Sequence, residues 1–284
     1  HQTVSRVVNG KGRVSPRTRE RVHGRDDQLG YRPNCRGPVA LVTARSGIIG
    51  VVTTTSAHFG PSSMLVALEV AAREAGLFTS VVALDRFGAD DVASASITLS
   101  LAAEAIVVIA PVDSLAEAVA SQGASVPVVA VSGGRTFGRG VSVVHADQRG
   151  GARALAEHLM SLGHRDIACV AGPQEWFEAR ERVAGWREAM DEAGLVKREP
   201  LVGSWEARWG YVAGQNLVED GLPDAVMCAN DEVAVGLLRA FAEARVSVPG
   251  DVSVAGFDDV PMAAYAGPGL TTVRQDFADL ALCA

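Results

Sequence analysis

The stretch G-A-R-A-L-A-E-H-L-M-S-L-G-H-R-D-I-A-C-V-A-G (151–172) joins a helix, expected over 150–162, to an apolar run, D-I-A-C-V-A-G (166–172), expected as a strand. The run is continuously apolar, as in a strand buried on both faces of a parallel sheet. The same unit repeats in both directions along the chain. Further strands are expected at 48–53 (IIGVVT), 79–84 (TSVVAL), 105–110 (AIVVIA), 126–131 (VPVVAV), 224–230 (DAVMCAN) and 252–257 (VSVAGF). Helices are expected among them at 62–75, 179–193 and 231–244. Alternation of this kind implies an α/β architecture of parallel sheets flanked by helices. A break near 144–147 divides the strands into two groups, and two half-domains fit 284 residues better than one. Ligands of open parallel sheets bind at the carboxyl ends of the strands, so the cleft between the lobes is the expected site.

Composition narrows the class. The chain is 48% hydrophobic, with no stretch approaching a membrane span and no basic-apolar leader at its start, so a cytoplasmic protein is expected. Cys35, Cys169, Cys228 and Cys283 are far apart and form no C-x-x-C pair, which implies reduced thiols and neither a metal site nor a cofactor. No G-x-G-x-x-G follows a strand, and P-loop, H-E-x-x-H and G-x-S-x-G patterns are missing, so the reading is not an enzyme.

The amino-terminal segment differs in character. In residues 1–9, Val4, Val7 and Val8 fall on one helical face, while His1, Gln2, Ser5, Arg6 and Asn9 lie on the other. Gly10 and Gly12 end that helix, Ser15 is a suitable N-cap, and Pro16 occupies the first helical position of the next. Residues 1–45 hold ten Lys or Arg against three Asp or Glu, a net +7 in a chain whose total is −7. A basic head on an acidic body points to phosphate binding at one end.

Polar groups placed after strands are the candidate ligand contacts in the body. Arg180 follows the loop after 166–172, Asn230 ends one strand and Asp258 another, although Asn230 and Asp258 each also suit a helix N-cap. A carboxylate, an amide and a guanidinium together match a polyol, and Trp205 offers a ring for the apolar face of a sugar.

The runs T-V-S-R-V-V-N-G (3–10), V-S-P-x-T-R-E-R-V (14–22) and L-G-Y-R-P-N (29–34) closely resemble the DNA-binding head of the lactose repressor family of bacterial transcription regulators. In the body the resemblance rests on A-R-E-R-V-A-G-W (179–186), A-N-D-E-V-A-V-G (229–236), V-S-V-A-G-F-D-D-V (252–260) and L-T-T-V-R-Q-D-F (270–277). It implies a periplasmic-binding-protein-like sensor of two lobes behind a partial helix-turn-helix head. The implied divisions are a head at 1–33, a hinge at 34–47, a first lobe at 48–145 plus 277–284, and a second lobe at 146–276.

It also implies roles. His1, Gln2 and Arg6 would reach base edges of operator DNA, Thr3, Ser5 and Asn9 would hold phosphates, and Leu41 would wedge the minor groove from the hinge. Arg180, Trp205, Asn230, Asp258, Gln275 and Phe277 fall where the family contacts its inducer, and T-T-T-S-A-H-F-G-P-S-S-M (53–64) adds His58, Gly60, Pro61 and Met64. Ser132 stands where a pocket aspartate is implied. The effector would be a small neutral sugar such as a β-galactoside, acting allosterically on a homodimer or tetramer with no membrane partner.

The chain departs from the family pattern at both ends. It begins inside the recognition helix, and His23, Gly24 and Asp26 replace apolar or helix-favouring residues in the following helix. Gly37 and Pro38 interrupt the hinge, and the chain stops at F-A-D-L-A-L-C-A where a further helix and strand are implied. Two readings therefore stand: a sugar-responsive repressor, and a sugar-binding protein or regulator remnant without DNA-binding activity.

Overall fold

A computed structural model of the chain describes Val7, residues 14–28 (23–28 as backbone), 46–55, 58–85, 89–109, 126–133 and 140–284. In the head, Val7 is helical and buried, in keeping with the apolar face read for residues 1–9. Helix α1 (Pro16–Gln28) starts as its sequence demands: the Ser15 hydroxyl accepts from the Thr18 backbone N–H at 3.3 Å, and Pro16 takes the first position. The helix runs through Gly24 without a break.

The first sheet holds β1 (Ile48–Thr54), β2 (Phe78–Leu84), β3 (Ala105–Ile109), β4 (Val128–Val131) and β5 (Val141–Val144), in the order β2-β1-β3-β4-β5. Helices α2 (Phe59–Glu74) and α3 (Ala89–Ser100) connect its first three strands. The second sheet holds β6 (Ile167–Ala171), β7 (Leu201–Val202), β8 (Ala225–Cys228), β9 (Ser253–Asp258) and β10 (Thr271–Arg274), in the order β10-β9-β8-β6-β7. Its helices are α4 (Gln148–Ser161), α5 (Phe177–Glu192), α6 (Ala207–Asp220) and α7 (Asp231–Glu243). All strand pairings among the described residues are parallel.

The continuous apolar runs have a direct physical cause. Side chains alternate across a strand, and each sheet carries helices on both faces. In β3, Ile106 and Val108 enter one core cluster while Val107 and Ile109 enter the other. In β6, Ile167, Cys169 and Ala171 pack with Trp186, whereas Ala168 and Val170 pack with Phe241 on the opposite face. Neither face can be polar.

Strands β5, β7 and β10 and helices α3 and α6 lie outside the runs picked out from sequence. Leu201–Val202 is too short to carry a period, and Thr271–Arg274 is half-exposed at a sheet edge. Helix α6 contains Gly210 and Gly214, which lower intrinsic helix propensity. Both glycines have a packing reason: α6 lies so close to α7 that a Cβ at Gly210 would overlap the Val233 carbonyl oxygen.

After β10 the chain returns to the first sheet. Helix α8 (Phe277–Cys283) packs on α2, with Ala281 buried beside Met64, Leu68 and Val107. In both sheets the connections reverse direction once, between β1 and β3 and between β6 and β8. These switch points leave a crevice at the carboxyl ends of the strands.

Candidate ligand-binding site

One cavity lies between the two sheets, and nearly every residue lining it follows the end of a strand. From the first lobe come His58, Phe59, Gly60, Pro61 and Met64 after β1, Ile109 at the end of β3, Val131 and Ser132 at the end of β4, and His145 after β5. From the second come Gln148 on α4, Trp176, Glu178 and Arg182 after β6, Trp205 after β7, Asn230 after β8, Asp258 on β9 and Gln275 after β10. Phe277 and Leu280 of α8 close one side.

The buried Arg182 guanidinium organises the polar wall. Its Nε donates to Gln148 Oε1 at 2.9 Å, Nη1 donates to the Ala229 carbonyl, and Nη2 donates to Asp258 Oδ1 at 3.2 Å. Gln275 donates to the same Asp258 oxygen at 2.7 Å and accepts from Gln148 Nε2 at 2.7 Å. The guanidinium also lies 3.8 Å from the Phe257 ring centroid. Burial pushes Asp258 up and Arg182 down, and each is held in its charged form by the other. Asp258 has φ 107°, a conformation L residues rarely adopt, at the point where β9 meets the cavity.

Asn230 serves two purposes. Its Oδ1 accepts from the Val233 N–H at 2.8 Å and so caps α7, while Nδ2 donates to the Trp205 carbonyl at 3.1 Å. The cap read as an alternative from sequence is present, and the residue still faces the cavity. Asn230→Ala is expected to cost about 0.5–2 kcal/mol of stability. The check is a lowered urea midpoint at unchanged m-value.

An aromatic wall joins the lobes: the His58 and Trp176 rings meet edge-on at 5.6 Å, as do Trp176 and Trp205. Phe59 and Phe277 make a similar contact at 6.0 Å. Three buried polar atoms at the cavity have no hydrogen-bond partner among the described residues: Ser132 Oγ, Glu178 Oε2 and Trp205 Nε1. Unpaired buried polar groups are costly, and their concentration at one cavity marks a place where a polar molecule would restore the bonds.

Of the ligand contacts implied by sequence, His58, Gly60, Pro61, Met64, Ser132, Trp205, Asn230, Asp258, Gln275 and Phe277 meet in this cavity. Arg180 does not. It lies in a neighbouring depression, with its guanidinium 4.8 Å from the Phe177 ring and Nη1 donating to the Gln174 carbonyl at 2.9 Å. Residues two apart on a helix point in different directions, and on α5 the buried face carries Ala179, Arg182, Val183 and Trp186. That spacing was readable in A-R-E-R-V-A-G-W and selects Arg182. Gln148, Trp176 and Glu178 were also missed; an acidic residue in the first turn of a helix ordinarily reads as compensation of the helix dipole. His1, Gln2, Thr3, Ser5, Arg6, Asn9 and Leu41 lie outside the described residues.

Two parallel α/β lobes closing on a hydrogen-bonding cavity, behind a basic head with helix-turn-helix signals, define a two-lobed ligand-responsive regulator. The chain belongs to the lacI family of bacterial regulatory proteins, which are DNA-binding transcription regulators. That family's description matches residues 1–34, and a periplasmic binding protein-like domain matches residues 156–284. The lactose operon repressor of Escherichia coli (strain K12) is 33% identical over 98% of this chain and 77% of its own length. The transcriptional regulator CelR of Thermobifida fusca is 34% identical over 96% of this chain and 82% of its own. A lac repressor dimer bound to operator and the anti-inducer ONPF superposes with a TM-score of 0.86 at 32% identity, covering 99% of this chain and 86% of that one. A CelR–cellobiose complex gives 0.73 at 30% identity, with the same coverage of each chain. Among the described residues no helix is long and apolar enough to cross a membrane.

Proposed function

We propose that this protein is a cytoplasmic, dimeric transcriptional repressor whose hold on operator DNA changes when a small neutral sugar, such as a β-galactoside, binds between its lobes. The observation that carries the reading is the lobe-spanning cavity, in which Arg182, Asp258, Asn230, Gln148 and Gln275 form one polar wall beside the Trp205 ring. Asp accepts from hydroxyls, a guanidinium donates in a fork, amides do both, and an indole face suits the C–H face of a pyranose. The relatives above include one bound to cellobiose and one bound to operator and an anti-inducer.

The ligand contacts are His58, Gly60, Pro61, Met64, Ser132, Trp205, Asn230, Asp258, Gln275 and Phe277, with Arg182 as the guanidinium in place of Arg180. His1, Gln2 and Arg6 read bases, Thr3, Ser5 and Asn9 hold phosphates, and Leu41 enters the minor groove. Residues 1–33 form the head and 34–47 the hinge. The first lobe comprises 48–145 with 277–284, and the second comprises 146–276. The ligand is bound and released unchanged. A sugar that prefers one arrangement of the lobes shifts the dimer towards it, and DNA affinity follows.

The test is selection of a binding site from a randomised duplex library, followed by anisotropy titrations of that duplex across salt concentrations with and without galactosides and glucosides. Sequence-specific binding with a steep salt slope, changed by about 5–150-fold by a sugar, supports the proposal. A folded dimer that binds sugar but selects no duplex supports the sugar-binding protein without DNA activity instead.

A further inference from the structure

Two of the unpartnered polar atoms stand on opposite walls of the same cavity. Ser132 Oγ belongs to the first lobe, at the end of β4, and Glu178 Oε2 belongs to the second, in the first turn of α5. The walls meet closely there: a Cβ at Gly133 would lie 3.2 Å from the Glu178 backbone nitrogen and in hard contact with Phe177. Ser132 offers one hydroxyl proton and Glu178 offers carboxylate lone pairs, so the complementary group is one that donates and accepts at once. Nearby Arg182 is already held by Gln148, Ala229 and Asp258.

We propose that Glu178 and Ser132 are a specificity pair that recognises one sugar hydroxyl, which donates to the Glu178 carboxylate and accepts from Ser132, and that binding is thereby linked to release of a proton from Glu178. The inference rests on the sugar reading above and adds to it how one hydroxyl is recognised and under what pH. Burial holds the Glu178 carboxyl up to about 7, against the opposing pull of its own backbone N–H and of Arg182 and Arg180 on the same helix. Asp258 on β9 pushes in the same direction as burial, and the other titratable groups at the cavity are His58 and His145. Near neutrality the empty site holds a mixture of protonated and ionised carboxyl. A ligand that donates to the ionised form binds only that fraction, and the proton of the remainder passes to solvent. Affinity is therefore expected to be full above the empty-site value and to fall as pH drops below it, by about tenfold from pH 8 to pH 6.

The experiment is calorimetric titration of the full chain with methyl β-galactoside and methyl β-glucoside at pH 6, 7 and 8, in buffers of different ionisation enthalpy. The monodeoxy and monoamino analogues of whichever parent binds follow. Expected are the tenfold loss at pH 6, net proton release, and a single ring position at which removing the hydroxyl costs affinity and also removes the pH dependence. Glu178→Gln keeps shape and an acceptor, so it is expected to fold, to bind about tenfold more weakly at pH 8, and to show no Glu-linked proton release. Ser132→Ala is expected to weaken binding while retaining the pH slope, a pattern that separates recognition from a structural role for Glu178. Sugar binding with a slope unchanged in Glu178→Gln overturns the pair. Tighter binding of an amino analogue at the sensitive position overturns it in favour of a cationic ligand. Failure of both parents to bind at any pH overturns the sugar reading itself, and this pair with it.

Discussion

Arg182→Met is expected to lose about 3–5 kcal/mol of folding stability and all measurable sugar binding. The methionine fills the volume of the stem but leaves the Asp258 carboxylate buried without its ion pair, and it strips a donor from the Ala229 carbonyl and from Gln148. Removing one partner of a buried pair costs more than the pair contributes, because the charge left behind stays desolvated. The pH dependence identifies the cause. Burial already raises the Asp258 carboxyl, and without the guanidinium it rises further. Protonation then relieves the defect, so the stability gap between variant and parent should narrow as pH falls from neutral towards acid. Arg182→Met combined with Asp258→Asn should recover part of the loss by neutralising the stranded charge. Arg180→Met is the control: it removes a cation–ring contact and a bond to a loop carbonyl, and is expected to cost within about 1 kcal/mol. Urea denaturation of the three variants beside the parent decides the matter, and equal losses at the two arginines would mean that the buried guanidinium is not the hub of the site.

Gly236→Ala is expected to destabilise the second lobe by about 3 kcal/mol or more, at the upper end of ordinary overpacking or beyond it. Helix propensity alone argues the opposite, since alanine is favoured over glycine in a helix by about 1 kcal/mol. Packing overrides it because the obstacle is backbone. A Cβ at position 236 would overlap the Ala207 carbonyl oxygen and come within 2.9 Å of the Tyr211 nitrogen, and no rotamer change can move either. Helices α6 and α7 would have to separate, opening the cluster of Leu217, Val233, Leu237 and Phe241. Gly60→Ala is the contrast, because a Cβ there meets nothing within 4 Å. Thermal unfolding of both variants checks this, and a stable Gly236→Ala protein would mean that the two helices are not locked at this crossing.

The paired apolar runs at 105–110 and 166–172 announced strands buried on both faces, because a parallel sheet covered by helices leaves no side for a polar residue. Ser15 and Pro16 announced the start of α1, because capping is local chemistry. Part of the cavity was legible for a similar reason: Asn230 and Asp258 end apolar runs, and the ends of parallel strands face the crevice, whereas His58 and Ser132 were implied only by the family resemblance. Arg180 was misplaced by two residues because position after a strand says nothing about which side of the next helix faces inward. Trp176, Gln148 and Glu178 were invisible for another reason. Each looks like an ordinary loop or first-turn residue until the opposite lobe is brought against it.

What the amino-acid sequence alone determined is therefore the class of fold, the order of the two lobes, the basic head and the strand ends from which ligand contacts arise. Those features depend on side-chain period, capping and charge, which are properties of neighbours along the chain. Only the tertiary structure decided that Arg182 holds Asp258, that Gly236 must lack a side chain, and that Ser132 Oγ and Glu178 Oε2 line one cavity without hydrogen-bond partners among the described residues. Each of these depends on the distance between groups that are remote in sequence. Burial then converts that distance into a bond, a clash or an unmet hydrogen bond.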